Sequence, residues 1–149
     1  MPADYGMWVN VLSHKLKKRM NAALSEFGIT AVQSRIMRYI MDKEAQGPVF
    51  QRDVEKTFEM SRSTATAILQ LLEKNGVIRR ESVPKDARLK SLVPTEKAQQ
   101  IDERVRACIA ENQRLMIEGL SEGQLLLFLE VVKHMSENLD CVGSTENKC

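Results

Sequence analysis

Apolar positions recur every three or four residues along most of this chain, and that period predicts a protein built mainly from helices. Trp8, Leu12, Leu16, Met20, Leu24 and Phe27 line one face of a first helix over about residues 5–27, which Gly28 ends. Thr30 can cap a second helix reaching about Glu44, with Val32, Ile36, Met37, Ile40 and Met41 on its apolar side. Gly47-Pro48 breaks the pattern, and Val54 and Phe58 mark a third helix over about residues 51–59. Met60-Ser61 then turns the chain into a fourth, capped by Ser61, with Ala65, Ile68, Leu69 and Leu72 at helical spacing and Gly76 at its stop.

After Gly76 the pattern changes. VIRRESV, a Pro-Lys-Asp-Ala-Arg turn and LKSLV predict a β-hairpin, and Pro48-Val49-Phe50 could add a short strand beside it. Helical spacing resumes after Thr95, a candidate cap, with Ile101, Val105, Cys108, Asn112 and Leu115 along a long fifth helix. Leu120-Ser121 interrupts it, Ser121 and Gln124 make a capping box, and Leu125, Phe128, Leu129, Val132, Met135 and Leu139 define a sixth helix. The expected fold class is mainly α, a winged helix-turn-helix with a small β-hairpin wing plus N- and C-terminal helices. The corresponding parts are an N-terminal helix (1–29), the winged domain (30–98), C-terminal helices (99–140) and a polar tail (141–149).

The fourth helix has two unlike faces. Opposite its apolar stripe it carries Arg62, Ser63, Thr66 and Gln70, short or flexible hydrogen-bonding groups in place of a solubilising mixture of Glu and Lys. Arg62 could pair bidentately with guanine, while Ser63, Thr66 and Gln70 could meet base edges, thymine methyls or phosphates. A helix fit for a major groove followed by a charged hairpin is the layout of a winged helix that binds DNA.

Net charge is only +2, but its distribution matters more than its sum. Residues 1–50 hold 7 basic and 4 acidic side chains, residues 51–98 hold 10 and 7, and residues 99–149 hold 5 and 9. Between Lys74 and Lys90 there are six basic side chains (Lys74, Arg79, Arg80, Lys85, Arg88, Lys90) against Glu81 and Asp86. Lys74, Lys85 and Lys90 are candidates for the phosphate backbone. A winged helix that docks protein without binding DNA directly is the alternative; it predicts an acidic or apolar surface, which Arg62, Arg79, Arg80 and Arg88 oppose.

Other chemistry finds little support. No nucleophile–base set or phosphate loop is present, so an enzyme is not expected. Two histidines, His14 and His134, lack close Cys or His partners, so neither a metal nor another cofactor is implied. Cys108, Cys141 and Cys149 lack CxxC spacing and fit a reducing, cytoplasmic setting; Cys108 reads as a core thiol and the other two as tail thiols. No apolar run has membrane-spanning length, and the first ten residues lack a signal-peptide pattern.

Three motifs in order carry a resemblance. Gly28-Ile29-Thr30 precedes the second helix, Leu72-Glu73-Lys74-Asn75-Gly76-Val77-Ile78-Arg79-Arg80 closes the fourth, and Asp86-Ala87-Arg88 is followed by Pro94-Thr95. In these the chain resembles the MarR family of bacterial transcription regulators over nearly its whole length, with Pro94 in place of the usual Leu and Ala98 where a Gly often stands. The resemblance implies a homodimeric DNA-binding regulator, a repressor by expectation, acting on a pseudo-palindromic operator. It makes Arg88 the wing residue that enters the minor groove, where negative potential attracts a guanidinium. Asp86 repels phosphate, so its expected role is to hold Arg88 or a neighbouring basic side chain in place. Leu12, Leu129, Val132 and Met135 on the terminal helices would form the dimer interface, because those stripes lie outside the winged core. Family members often take phenolic or carboxylate effectors, and Trp8, His14, Arg38 and Tyr39 could line such a cleft.

Overall fold

The computed structural model describes residues 2–143, with side chains for residues 2–141. The elements follow the expected order: α1 (Tyr5–Leu24), a 3-10 turn (Ser25–Phe27), α2 (Ala31–Glu44), α3 (Gln51–Thr57), α4 (Arg62–Lys74), β1 (Ile78–Val83), β2 (Asp86–Pro94), α5 (Glu96–Ile117) and α6 (Glu122–Gly143). Two compact units make up the chain, residues 1–112 and 113–149, the boundary falling inside α5. Among the described residues no helix is long and apolar enough to cross a membrane.

Local hydrogen bonds explain most of the boundaries. The first N–H groups of a helix have no partner within it, and short polar side chains supply one. Asp4 accepts from the Met7 N–H at 2.8 Å to start α1. Thr30 and Gln33 exchange bonds across the first turn of α2, and Ser121 and Gln124 do the same at α6. Ser61 accepts from the Thr64 N–H at 3.2 Å to start α4. At Gly28 the backbone turns left-handed, φ 68°, a conformation in which a Cβ is strained. The Asn75 side chain then donates to the Gly28 carbonyl, tying the end of α4 to the entry of α2.

Four expectations need correction. Pro48-Val49-Phe50 forms no strand; one backbone bond, from the Leu92 N–H to the Val49 carbonyl at 2.7 Å, joins it to the two-stranded hairpin. The Thr95 hydroxyl donates to the Gly76 and Val77 carbonyls at 2.6 and 3.0 Å, so its bonds fasten the end of the hairpin to the α4–β1 turn rather than cap α5. Val32, placed on the apolar side of α2, is 47% exposed. The sixth helix runs through Gly143, into the segment expected as a tail; residues 144–149, Cys149 among them, lie outside the described residues.

The core sits wholly in the first unit. Leu24, Ile36, Met37, Ile40, Val54, Leu69, Leu72, Val77, Ile78, Leu92 and Ile101 are buried together, drawn from every helix from α1 to α5 and from both strands. Full burial of one such side chain stabilises by roughly 1.5–3 kcal/mol. Asp102 of α5 is a charged residue at this core's edge, with Arg38 Nε at 3.0 Å and Arg106 Nε at 2.8 Å. Asn112, also buried, accepts from Arg19 Nε at 2.6 Å and so pins α5 to α1. Asn112 also approaches the half-buried Cys108 sulfur, its Nδ2 at 3.6 Å. Cys108 thus lies at the rim of the core.

Among the described residues, one non-glycine residue is left-handed. Glu59 adopts φ 49° in the turn between α3 and α4, a conformation that costs an ordinary residue roughly 1–2 kcal/mol. Glycine avoids that cost but surrenders more chain entropy. Glu59→Gly is therefore expected to stabilise the fold by up to about 1 kcal/mol, read as a rise in the midpoint of urea unfolding with an unchanged slope. A lower midpoint would show that the Glu59 side chain supports the turn.

Candidate nucleic-acid interface

Ala65, Leu69 and Leu72 anchor one side of α4 in the core. At helical spacing that forces Arg62, Ser63 and Gln70 outward, where all three are exposed, and leaves Thr66 half-buried at the margin. Ser63 sits against the cap, its hydroxyl 3.1 Å from that of Ser61. Gln51, at the start of α3, donates through Nε2 to Thr66 Oγ1 at 2.8 Å and, at a longer 3.4 Å, to the Arg62 carbonyl. The two helices of the helix-turn-helix are thereby joined at the surface as well as through Val54 and Leu69 below it.

The hairpin brings the second set of groups. Its strands pair from Ile78 with Pro94 to Ser82 with Lys90, and the register slips between Ser82 and Val83. That irregularity sets the tip, residues 84–85, apart from the regular ladder, with Lys85 exposed on it. Asp86 Oδ1 accepts from the backbone N–H of Arg88 at 2.9 Å. Its structural bond is thus to backbone, the pattern of an Asx turn, and the expected grip on a basic side chain is not the contact it makes. Lys90 donates to Ser82 across the strands.

Together these elements enclose a groove of about 450 Å³ lined by Phe50, Gln51, Arg52, Glu55, Arg62, Thr66, Arg80, Arg88, Leu89 and Lys90. Five of its side chains are cationic and one is a carboxylate. Arg62, Thr66, Arg88 and Lys90 of the sequence-derived set converge there, while Ser63, Gln70, Lys74 and Lys85 are exposed elsewhere on α4 and the hairpin. Phe50, Gln51 and Arg52 were not singled out, and Arg80 was counted among the basic charges of the hairpin without being assigned to the site. Arg80 had a legible signal, since period-two alternation places it on the same strand face as Ile78. Arg52 is held with its guanidinium 5.1 Å from the centre of the Phe50 ring, and Arg80 is paired with Glu73 at 3.2 Å.

The four residues expected to line an effector cleft do not converge within the first unit. His14 lies with Met7, Asn10 and Val11 along an open hollow on α1, and Trp8 is 64% exposed. Arg38 is engaged with Asp102. Tyr39 packs edge-on against Phe58, accepts from the Thr57 hydroxyl, and lines a separate hollow with Lys43 and Pro48.

The model of the MarR family matches residues 27–89, the span from the end of α1 to the wing. The likeness to that family model covers the helix-turn-helix and most of the hairpin. No curated protein sequence matches the chain. Among solved structures, the transcription regulator MarR from Oenococcus oeni is 28% identical, with a TM-score of 0.62 over 90% of this chain and 99% of that one. Staphylococcus aureus MepR, a regulator of the multidrug efflux pump MepA, aligns at a TM-score of 0.78 and 22% identity over 92% of this chain and 99% of its own. A structure of MepR in complex with DNA aligns at 0.74, also at 22% identity, with the same coverage. The chain thus has the winged-helix fold of MarR-family transcription regulators along most of its length.

In the hairpin the Asp86 bond predicts a local effect. Asp86→Ala is expected to speed hydrogen exchange at the Arg88 amide by about tenfold, with global stability falling by less than about 1 kcal/mol because the site is exposed. Unchanged exchange at Arg88 would show that the hairpin tip holds its shape without Asp86.

Proposed function

We propose that this protein is a sequence-specific DNA-binding transcription regulator that acts as a homodimeric repressor on a pseudo-palindromic operator. The observation that carries the reading is the cationic groove joining α4 to the wing. A duplex presents phosphates at close spacing, so five cations in one groove release several counterions on binding. Among them Arg62 of α4, with Thr66 beside it, would face a major groove, and Arg88 of β2, next to the hairpin tip, the adjoining minor groove. An enzyme reading has no comparable constellation in its favour.

The terminal helices support assembly. Every described side chain of α6 except Leu125 is exposed, and Leu126, Phe128, Leu129, Val132, Met135 and Leu139 are between 39% and 77% exposed. On α1 Tyr5, Trp8, Val9 and Leu12 are likewise exposed. Apolar stripes left exposed on a helix mark an association face, and a second copy would cover each of them. A two-fold dimer would set two reading helices about 34–36 Å apart, one turn of the duplex.

A mobility-shift assay with genomic fragments at low and high salt tests the reading. Fragments that shift at both, with selectivity over bulk DNA, are expected; no shift at low salt would overturn it. On a recovered operator, Arg88→Ala should weaken binding and reduce the salt slope by about one charge. Arg62→Ala should instead cost roughly 1–3 kcal/mol of discrimination against unrelated DNA. Parallel losses on specific and non-specific DNA would make Arg62 a phosphate clamp.

Val132→Glu tests the assembly. Two symmetry-related carboxylates would enter the interface unpaired, at a cost of several kcal/mol, so the variant should sediment as a monomer and lose most of its operator affinity. A dimeric variant, or a monomer binding as tightly as the parent, would defeat the coupling of two half-site readers.

A further inference from the structure

The Gln51 side chain reaches from α3 to the outward face of α4, and the two oxygens it meets restrict each other. The Arg62 carbonyl, 3.4 Å from Nε2, can only accept a hydrogen bond, so the part of the Gln51 amide facing it must be the NH2 group. The same NH2 lies 2.8 Å from Thr66 Oγ1, and there the Thr66 hydroxyl is therefore the acceptor. One lone pair of that hydroxyl is occupied, and its proton is left to point elsewhere. An O–H that already accepts is polarised and donates more strongly.

Thr66 lies in the cationic groove beside Arg62 and Arg88, where a duplex would sit. On the DNA-binding reading proposed above, we infer that Gln51 is a positioning residue that presents Thr66 to the major groove as a hydrogen-bond donor. The base edges it selects are acceptors: N7 or O6 of guanine, N7 of adenine or O4 of thymine. The exocyclic amino groups of cytosine and adenine, which donate, are disfavoured at that position. The γ-methyl of Thr66 adds an apolar contact of the sort that meets the thymine C5-methyl.

The test begins with operators selected by the full-length protein from a randomised duplex pool, followed by affinity measurements for every single-base change. Thr66→Val should flatten the preference at one base position by about threefold to tenfold, the worth of a neutral hydrogen bond. Thr66→Ser should keep it. Gln51→Met should flatten the same position, and Gln51→Met with Thr66→Val should lose no more there than Thr66→Val alone, because both act through one hydroxyl. Gln51→Glu preserves size and accepts the Thr66 proton, so it should shift that position toward amino-bearing edges whatever its added charge does to overall affinity. Thermal melts of each variant separate folding from reading. Gln51 variants that keep the parental preference, losses that add in the double variant, or a Thr66→Val protein with unaltered preference would each overturn the inference while leaving DNA binding intact. A parent protein that selects no sequence from the pool overturns the DNA-binding reading itself, and the role of Gln51 with it.

Discussion

Leu69 and Leu72 have no exposed surface, and their burial holds α4 between α2 and the hairpin. Everything on the outer face of α4 takes its direction from that anchoring, because a helix with one stripe fixed has no rotational freedom left for the other. Truncating either leucine to alanine in such a core typically costs about 2–5 kcal/mol. The same cluster takes in Ile78 at the start of β1 and Leu92 near the end of β2, so a single apolar core sets both the helix and the base of the wing. The relation between α4 and the hairpin is a packing result, and the groove between them is its consequence.

Polar contacts refine what the core positions. Thr95 closes the base of the hairpin onto the Gly76 and Val77 carbonyls, and Asp86 shapes its tip through the Arg88 amide. Gln51 joins α3 to α4 at the surface. Each of these bonds is exposed or half-exposed and contributes modestly to stability. Their effect is on direction, which matters more than energy where a side chain must meet a particular atom of a partner. At Asp102 a buried carboxylate is tolerated because Arg38 and Arg106 approach it from α2 and α5.

The second unit follows a different logic. Residues 113–143 form the end of α5 and all of α6, joined at Gly119, where φ is 79°. Apolar residues occupy nearly half of α6, yet none of its described side chains is buried. A helix of that composition gains from burial only when another surface covers it. The exposed apolar positions of α6 add nothing to the core, which is drawn from residues 1–112.

How much of this was legible in the chain itself depended on distance along it. Helix starts at Thr30, Ser61 and Ser121 were readable because a cap and its partner lie three residues apart, a spacing written directly in the sequence. The apolar stripes were readable for the same reason, as was the order of helix, turn, helix and hairpin. Of the candidate site, Arg62 and Thr66 followed from the helix face, Lys90 from the charge of the hairpin and Arg88 from the family resemblance, and the four line one groove. Long-range pairs were not readable. Gln51 with Thr66 spans 15 positions, Thr95 with Gly76 spans 19 and Arg19 with Asn112 spans 93, and no local period marks such partners. Residues 48–50 looked like a strand because their composition allows one, but packing left room for a single backbone bond to Leu92. The sequence by itself determined which segments would be helices and which faces would be apolar, since both follow from contacts within a few residues. Only the tertiary structure decided which polar groups meet and what each one holds, because that is settled by how the apolar faces pack.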